Sequence, residues 1–120
     1  MKFIHSTLTV KNLEESLKFY HEALGLPIDA RFSAGTHEIV FLGGGGTKIE
    51  LIGGEAGHKT DAGRDISWGF EVSSLEETRE RLAALGIAAG DTVSPHAGVR
   101  FFFIKDPDGM TIQLVEQEKA

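Results

Sequence analysis

Apolar and polar residues alternate at the start of the chain. Over residues 3–10, Ile4, Leu8 and Val10 share one face, while Phe3, His5, Thr7 and Thr9 share the other, the period of a half-buried strand. The period then changes. Leu13, Leu17, Tyr20 and Leu24 recur at helical spacing, Asn12 offers an N-cap with Glu15 three residues on, and Gly25 supplies a stop. Strand patterns return over 27–33, 37–42 and 47–53, separated by Gly35 and by the run Gly43–Gly46 as hairpin turns. A polar, glycine-rich stretch from Gly53 to Gly63 follows and reads as a linker.

The pattern then starts again. Ile66, Trp68, Phe70 and Val72 lie on one strand face and Ser67, Gly69, Glu71 and Ser73 on the other. Ser74 with Glu77 repeats the cap, and Leu75, Leu82 and Leu85 give a second helix its apolar stripe. Strands are expected at about 87–93, 98–105 and 110–116, with Asp106-Pro107-Asp108-Gly109 as a type I turn. The likeness of the halves extends to residues. Val10-Lys11-Asn12-Leu13-Glu14-Glu15-Ser16 answers Val72-Ser73-Ser74-Leu75-Glu76-Glu77-Thr78, and Thr47-Lys48-Ile49-Glu50-Leu51-Ile52 answers Met110-Thr111-Ile112-Gln113-Leu114-Val115. A duplicated β-α-β-β-β unit accounts for this. The expected architecture is α+β. It comprises one domain over 1–120, made of module one (about 1–53), a linker (54–64) and module two (about 65–117), with helices on the outer face of curved mixed sheets.

Composition narrows the function classes. A chain of 120 residues, 41% hydrophobic and 25% charged, can bury a core without staples. The absence of cysteine excludes disulfides and thiolate metal sites. A net charge of -6 argues against a nucleic-acid partner, and no apolar run approaches a membrane span, so the default expectation is a cytoplasmic protein.

Candidate chemistry follows from the repeat. If the apolar faces of the first and last strands of each copy turn towards the helices, His5, Glu50, Ser67 and Gln113 occupy four equivalent positions on the other side. Thr7, Lys48, Gly69 and Thr111 are their neighbours by alternation. Taken singly, His5 reads as an ordinary strand histidine and Glu50 as a surface carboxylate; together they point to a polar functional face. Ser67 is best taken as a small residue that leaves room for a ligand. Lys48 can face the same way or snorkel to solvent. In the Phe101-Phe102-Phe103 run, alternation sends Phe102 opposite to its neighbours and offers it as a wall of the site. Trp68 and Phe70 read as core. His96 and His58 are candidates for the rim, His37 and His21 are read as bystanders, and Arg100 could meet an anion. The glycine run is followed by Thr47-Lys48 in a strand rather than by Lys-Ser/Thr opening a helix, so it is not a phosphate loop.

These stretches carry a resemblance. Phe3-Ile4-His5-Ser6-Thr7-Leu8-Thr9-Val10, Leu17-Lys18-Phe19-Tyr20 with Leu24-Gly25-Leu26, Lys48-Ile49-Glu50-Leu51, and Phe103-Ile104-Lys105-Asp106-Pro107-Asp108-Gly109 followed by Ile112-Gln113-Leu114-Val115 are similar to the vicinal oxygen chelate superfamily. That superfamily includes glyoxalases, bleomycin-resistance proteins and extradiol dioxygenases. The resemblance implies paired modules around a cup, a divalent metal at its base and a homodimer. It places the ligands at His5, Glu50, Ser67 and Gln113. The usual residues at the last two positions are His and Glu, so Ser67 and Gln113 depart from the pattern. His5, Glu50 and Gln113 then remain as one nitrogen and two oxygen donors, a set that suits Zn, Ni, Co, Mn or Fe without selecting strongly among them.

Two functions are consistent with this reading. One is a glyoxalase-like, lactoylglutathione lyase-like lyase or isomerase acting on a small carbonyl compound or its thiol adduct. The metal would act as a Lewis acid stabilising an enediolate, and Glu50 would be the proton-transfer base. Ser67, Thr7, Lys48, Thr111, Phe102 and His96 would line the substrate cup. The other is a metal-free, bleomycin-resistance-like protein that sequesters a small amphipathic ligand. Retention of His5 and Glu50 favours the first; loss of two usual ligand types favours the second.

Overall fold

The computed structural model describes residues 1–55 and 57–118. Along it the chain divides into two compact units, Met1–Ala62 and Gly63–Ala120.

In the first unit, β1 (His5–Val10) leads into α1 (Leu13–Leu17), which continues as a π-helical segment (Lys18–Ala23). Then come β2 (Ile28–Ala34), β3 (His37–Leu42) and β4 (Lys48–Gly53). The sheet order is β1-β4-β3-β2, with β1 and β4 parallel and the remaining pairs antiparallel. The second unit repeats this as β5 (Ser67–Glu71), α2 (Leu75–Ala84), β6 (Val93–His96), β7 (Val99–Lys105) and β8 (Thr111–Gln117), in the order β5-β8-β7-β6. The tandem β-α-β-β-β fold is therefore present as two open four-stranded mixed sheets. Only β1–β4 and β5–β8 are parallel, because only these connections include a helix that can carry the chain back across the sheet.

Each helix covers one face of its sheet. Leu8, Val10, Val40, Leu42, Ile49 and Leu51 are buried with Leu13, Leu17 and Tyr20; Phe102, Ile104, Ile112 and Leu114 are buried with Leu75 and Leu82. The caps form where the sequence places them. The Asn12 side chain accepts the Glu15 N–H at 3.0 Å and Ser74 Oγ accepts the Glu77 N–H at 3.2 Å, each satisfying one otherwise unpaired donor. In the second unit Glu116 Oε1 takes the Leu75 N–H at 2.8 Å, while its other oxygen holds Arg100 Nη2 at 2.6 Å. Arg100 first, and then the Leu75 amide, hold the Glu116 carboxyl below the usual range. The Asp106 turn closes with Gly109 N–H on Asp106 O, and Asp106 Oδ1 accepts from both Asp108 and Met110 at 2.8 Å.

Four expectations are corrected. The first helix is not α throughout. Gly25 follows Asn12 by 13 positions, whereas Gly86 follows Ser74 by 12, and the extra residue is taken up in the wider π turn. Leu85 is exposed at 57% because α2 has ended by then, and Thr78 takes its place on the buried stripe. Trp68 and Phe70 are half-buried rather than core. β6 begins at Val93 instead of 87; before it, Gly90 gives its N–H to Phe103 O at 3.0 Å, while Arg79 Nη2 takes the Gly90 carbonyl and Thr92 Oγ1, each at 2.8 Å.

Candidate functional site

Strand register builds the site. In the first unit His5 lies opposite Lys48 and Thr7 opposite Glu50, and these residues point away from the helix-covered face that buries Leu8, Val10, Ile49 and Leu51. His5 Nε2 stands 3.5 Å from Glu50 Oε1, and Thr7 Oγ1 donates to that same oxygen at 2.6 Å. The Glu50 side chain is 14% exposed, yet solvent still reaches the pair through His5, which is 34% exposed. Phe41 lies opposite Glu50 on the next strand, and its ring meets His5 edge-on with centroids 5.4 Å apart. Phe32 stacks on Phe41 at 6.1 Å. Ile4, His5, Ala30, Phe32, Phe41 and Lys48 border an open hollow of about 480 Å³.

One corner of the hollow is pinned by Asp29. Its Oδ2 accepts the Gly44 N–H at 3.0 Å and lies 3.4 Å from Lys48 Nζ. Gly44 has φ +83°, and a Cβ there would come within 2.7 Å of Pro27 Cγ, so only glycine lets the run turn so close to β2. Lys48 thus reaches the site, with its ammonium directed to Asp29.

The second unit repeats the register without the charge. Ser67 lies opposite Thr111 and Gly69 opposite Gln113. A Cβ on Gly69 would sit 3.3 Å from Gln113 Oε1, so the missing side chain leaves room for the carboxamide. Thr111 Oγ1 accepts from Lys105 Nζ at 2.5 Å. Phe103 is opposite Gln113, and its ring meets Phe101 edge-on at 5.4 Å.

One expected site residue falls elsewhere. Phe102 is no wall of the site: it is fully buried on the helix side, with the Arg79 guanidinium 4.5 Å above its ring. The aromatic residues on the site-side face are its neighbours Phe101 and Phe103. His96, expected at the rim, stands apart from Gln113 in the sheet. It ends β6 and pairs with Val99, which pairs with Gln117, two strands away and four residues along β8 from Gln113, and its Nδ1–H goes to the Ala97 carbonyl. Arg100 is engaged by Glu116 rather than offered to an anion. His21 donates to Leu26 O and His37 to Gly53 O, at 2.8 and 2.9 Å. His58 lies against Gly54.

Phe32, Phe41 and Asp29 were missed. Phe41 was accessible from alternation, because Val40 and Leu42 flank it in β3; the β2 residues were not, since all seven are exposed and a bulge after Ile28 shifts their register.

The donors of the first unit have the spacing of metal ligands. Two ligands about 2.1 Å from a tetrahedral ion lie about 3.4 Å from each other, close to the 3.5 Å between His5 Nε2 and Glu50 Oε1. Imidazole nitrogen with a carboxylate oxygen suits a borderline divalent ion. The pair fits such an ion as two of its ligands. Among the described residues no group of three or more His, Cys, Asp or Glu side chains could hold a metal.

The profile of the Glyoxalase/Bleomycin resistance protein/Dioxygenase superfamily matches residues 2–114. The chain belongs to this superfamily. Lactoylglutathione lyase of Neisseria meningitidis is 29% identical over 100% of this chain and 94% of its own length. Glutathione transferase FosA of Serratia marcescens is 31% identical over 92% of this chain and 77% of its own. Among solved structures, the trypanothione-dependent glyoxalase I of Leishmania major superposes with a TM-score of 0.82 at 23% identity, covering 97% of this chain and 86% of that one. This last likeness concerns the superfamily fold alone.

Proposed function

We propose that the chain is a glyoxalase-type isomerase that converts the hemithioacetal of a 2-oxoaldehyde into the thioester of a 2-hydroxy acid. The observation that carries this reading is the Glu50 carboxylate, bonded to Thr7 and set beside His5 at the edge of an aromatic hollow. The relatives named lactoylglutathione lyase support it.

Glu50 takes the proton from the carbon that bears sulfur and hydroxyl. The electrons of that C–H bond form a carbon–carbon double bond, and the neighbouring carbonyl oxygen becomes an oxyanion. Glu50 returns the proton to the neighbouring carbon, the hydroxyl oxygen becomes the thioester carbonyl, and its proton passes to the oxyanion. No oxidant is needed. His5 and Glu50 are the residues that would hold a divalent ion, which supplies Lewis-acid stabilisation of the negative charge developing on the substrate oxygens. Phe32 and Phe41 exclude water from one side of the hollow and receive the apolar part of the substrate.

The test uses purified protein stripped with chelator and reloaded with Ni, Zn, Co or Mn. Elemental analysis is expected to give one ion per chain, and the adduct of methylglyoxal and glutathione is expected to yield thioester. No ion retained and no thioester formed would overturn the reading. The apolar lining of the same hollow favours a second reading, sequestration of an amphipathic ligand without chemistry. Saturable binding of such a ligand by the chelated protein, with no turnover in any metal form, would select it.

A further inference from the structure

In the proposed function Glu50 has two tasks, to help hold an ion and to move a proton. A carboxylate that does both must present its two oxygens differently. Left alone it cannot, because its terminal torsion is broad and two-fold, so the oxygens exchange freely. The structure breaks that equivalence. Thr7 Oγ1 donates to Oε1 at 2.6 Å, and the same Oε1 is the oxygen 3.5 Å from His5 Nε2. Among the described residues Oε2 has no hydrogen bond.

We infer that Thr7 is a positioning residue that divides the labour of the Glu50 carboxylate. It fixes Oε1 beside His5 as the anchoring oxygen and leaves Oε2 as the oxygen that takes the proton. This rests on the proposed function. The fold makes Thr7 fit for the task. It lies directly opposite Glu50 in the parallel β1–β4 pair. Its branched Cβ restricts χ1 and so limits where the hydroxyl can point. The equivalent place in the second copy shows what the pair is like without it: Gly69 opposite Gln113 has no side chain to donate. A group that orients a ligating side chain in this way typically changes metal affinity or activity 10- to 100-fold when removed.

The experiment compares wild type, Thr7→Val and Thr7→Ser. Valine keeps the branched shape and strand preference but removes the hydroxyl; serine keeps the hydroxyl. Zn and Ni affinities are measured by titration calorimetry, and kcat and KM with the methylglyoxal–glutathione adduct. Thr7→Val is expected to lower metal affinity about 10-fold and kcat by more than that, with KM changed little. Thr7→Ser is expected to recover both to within a few-fold. If wild type binds metal and turns over while Thr7→Val matches it in affinity and kcat, the division of labour is wrong and the proposed function stands. If wild type neither binds metal nor turns over, the proposed function itself fails and takes this inference with it. Should Thr7→Val lose its cooperative thermal transition, Thr7→Ala replaces it under the same criteria.

Discussion

Both copies run their first and last strands parallel in the same register, so that Thr7 faces Glu50 as Gly69 faces Gln113. The backbones agree and the chemistry does not. In the first copy a hydroxyl and an imidazole converge on one carboxylate oxygen. In the second a carboxamide leans over a glycine with a serine nearby, and nothing in the pair ionises. Duplication has kept the buried alternation, which every strand needs in order to pack, and released the outward positions, which packing does not constrain. Differences between the copies on the outward face therefore carry functional information, while identities on the inward face report only the core.

The comparison breaks most sharply if the first copy is made to resemble the second. Glu50→Gln should lower kcat/KM by about 10²–10⁴-fold, the usual worth of a positioned acid–base group, with loss of metal uptake by elemental analysis. Full turnover in this variant would remove Glu50 from the chemistry. The inward face should behave alike in the two copies. Leu51→Ala and Leu114→Ala remove side chains that are 0% and 1% exposed, and each should cost about 2–5 kcal/mol by denaturant unfolding. A large inequality between them would show that the two cores are not equivalent.

Acid should weaken both copies, and more gently. Glu116 is held below the ordinary carboxylate range by Arg100 and the Leu75 amide, and Glu38 by Arg31. A depressed carboxyl contributes stability above its unfolded value and loses it as pH falls through the folded one. Thermal stability should therefore decline below the ordinary carboxylate range, and Glu116→Gln should flatten that decline by removing the negative charge that faces the Arg100 guanidinium. An unchanged pH profile would mean the pair is screened by solvent. The smallest effect is expected from Gly69→Ala. Its backbone is not in the left-handed region, so the change should stay within about 1 kcal/mol, and a shift of the Gln113 amide resonance is its sensitive readout. An unmoved amide would show that the 3.3 Å approach is not limiting.

The elements were legible because period two, period 3.6 and the caps all speak about local structure. Asn12, Ser74 and the Asp106 turn do in the fold what their residue types predict. His5 and Glu50 were legible because alternation plus the repeat fixes their face. Phe102 was not, because three consecutive phenylalanines do not reveal which parity faces the helix; the Arg79 guanidinium over its ring settles that only in three dimensions. The place of His96 in the sheet was not legible either. Nearness in sequence to β7 says nothing about distance across it, and the ladder sets it two strands from Gln113. Asp29 was invisible since its role depends on how the Gly44 turn folds back onto β2.

The π-helical segment bears on how such a scaffold tolerates change. A residue inserted into an ordinary helix turns everything beyond it by about 100° and would carry Leu24 and the following strand out of phase. Here the added length is confined to a bulge between Leu17 and Leu24, with Asn12 still at the entry and Gly25 at the exit. The connecting helix acts as an expansion joint: the sheet edges it links keep their pairing while the gene gains or loses a codon.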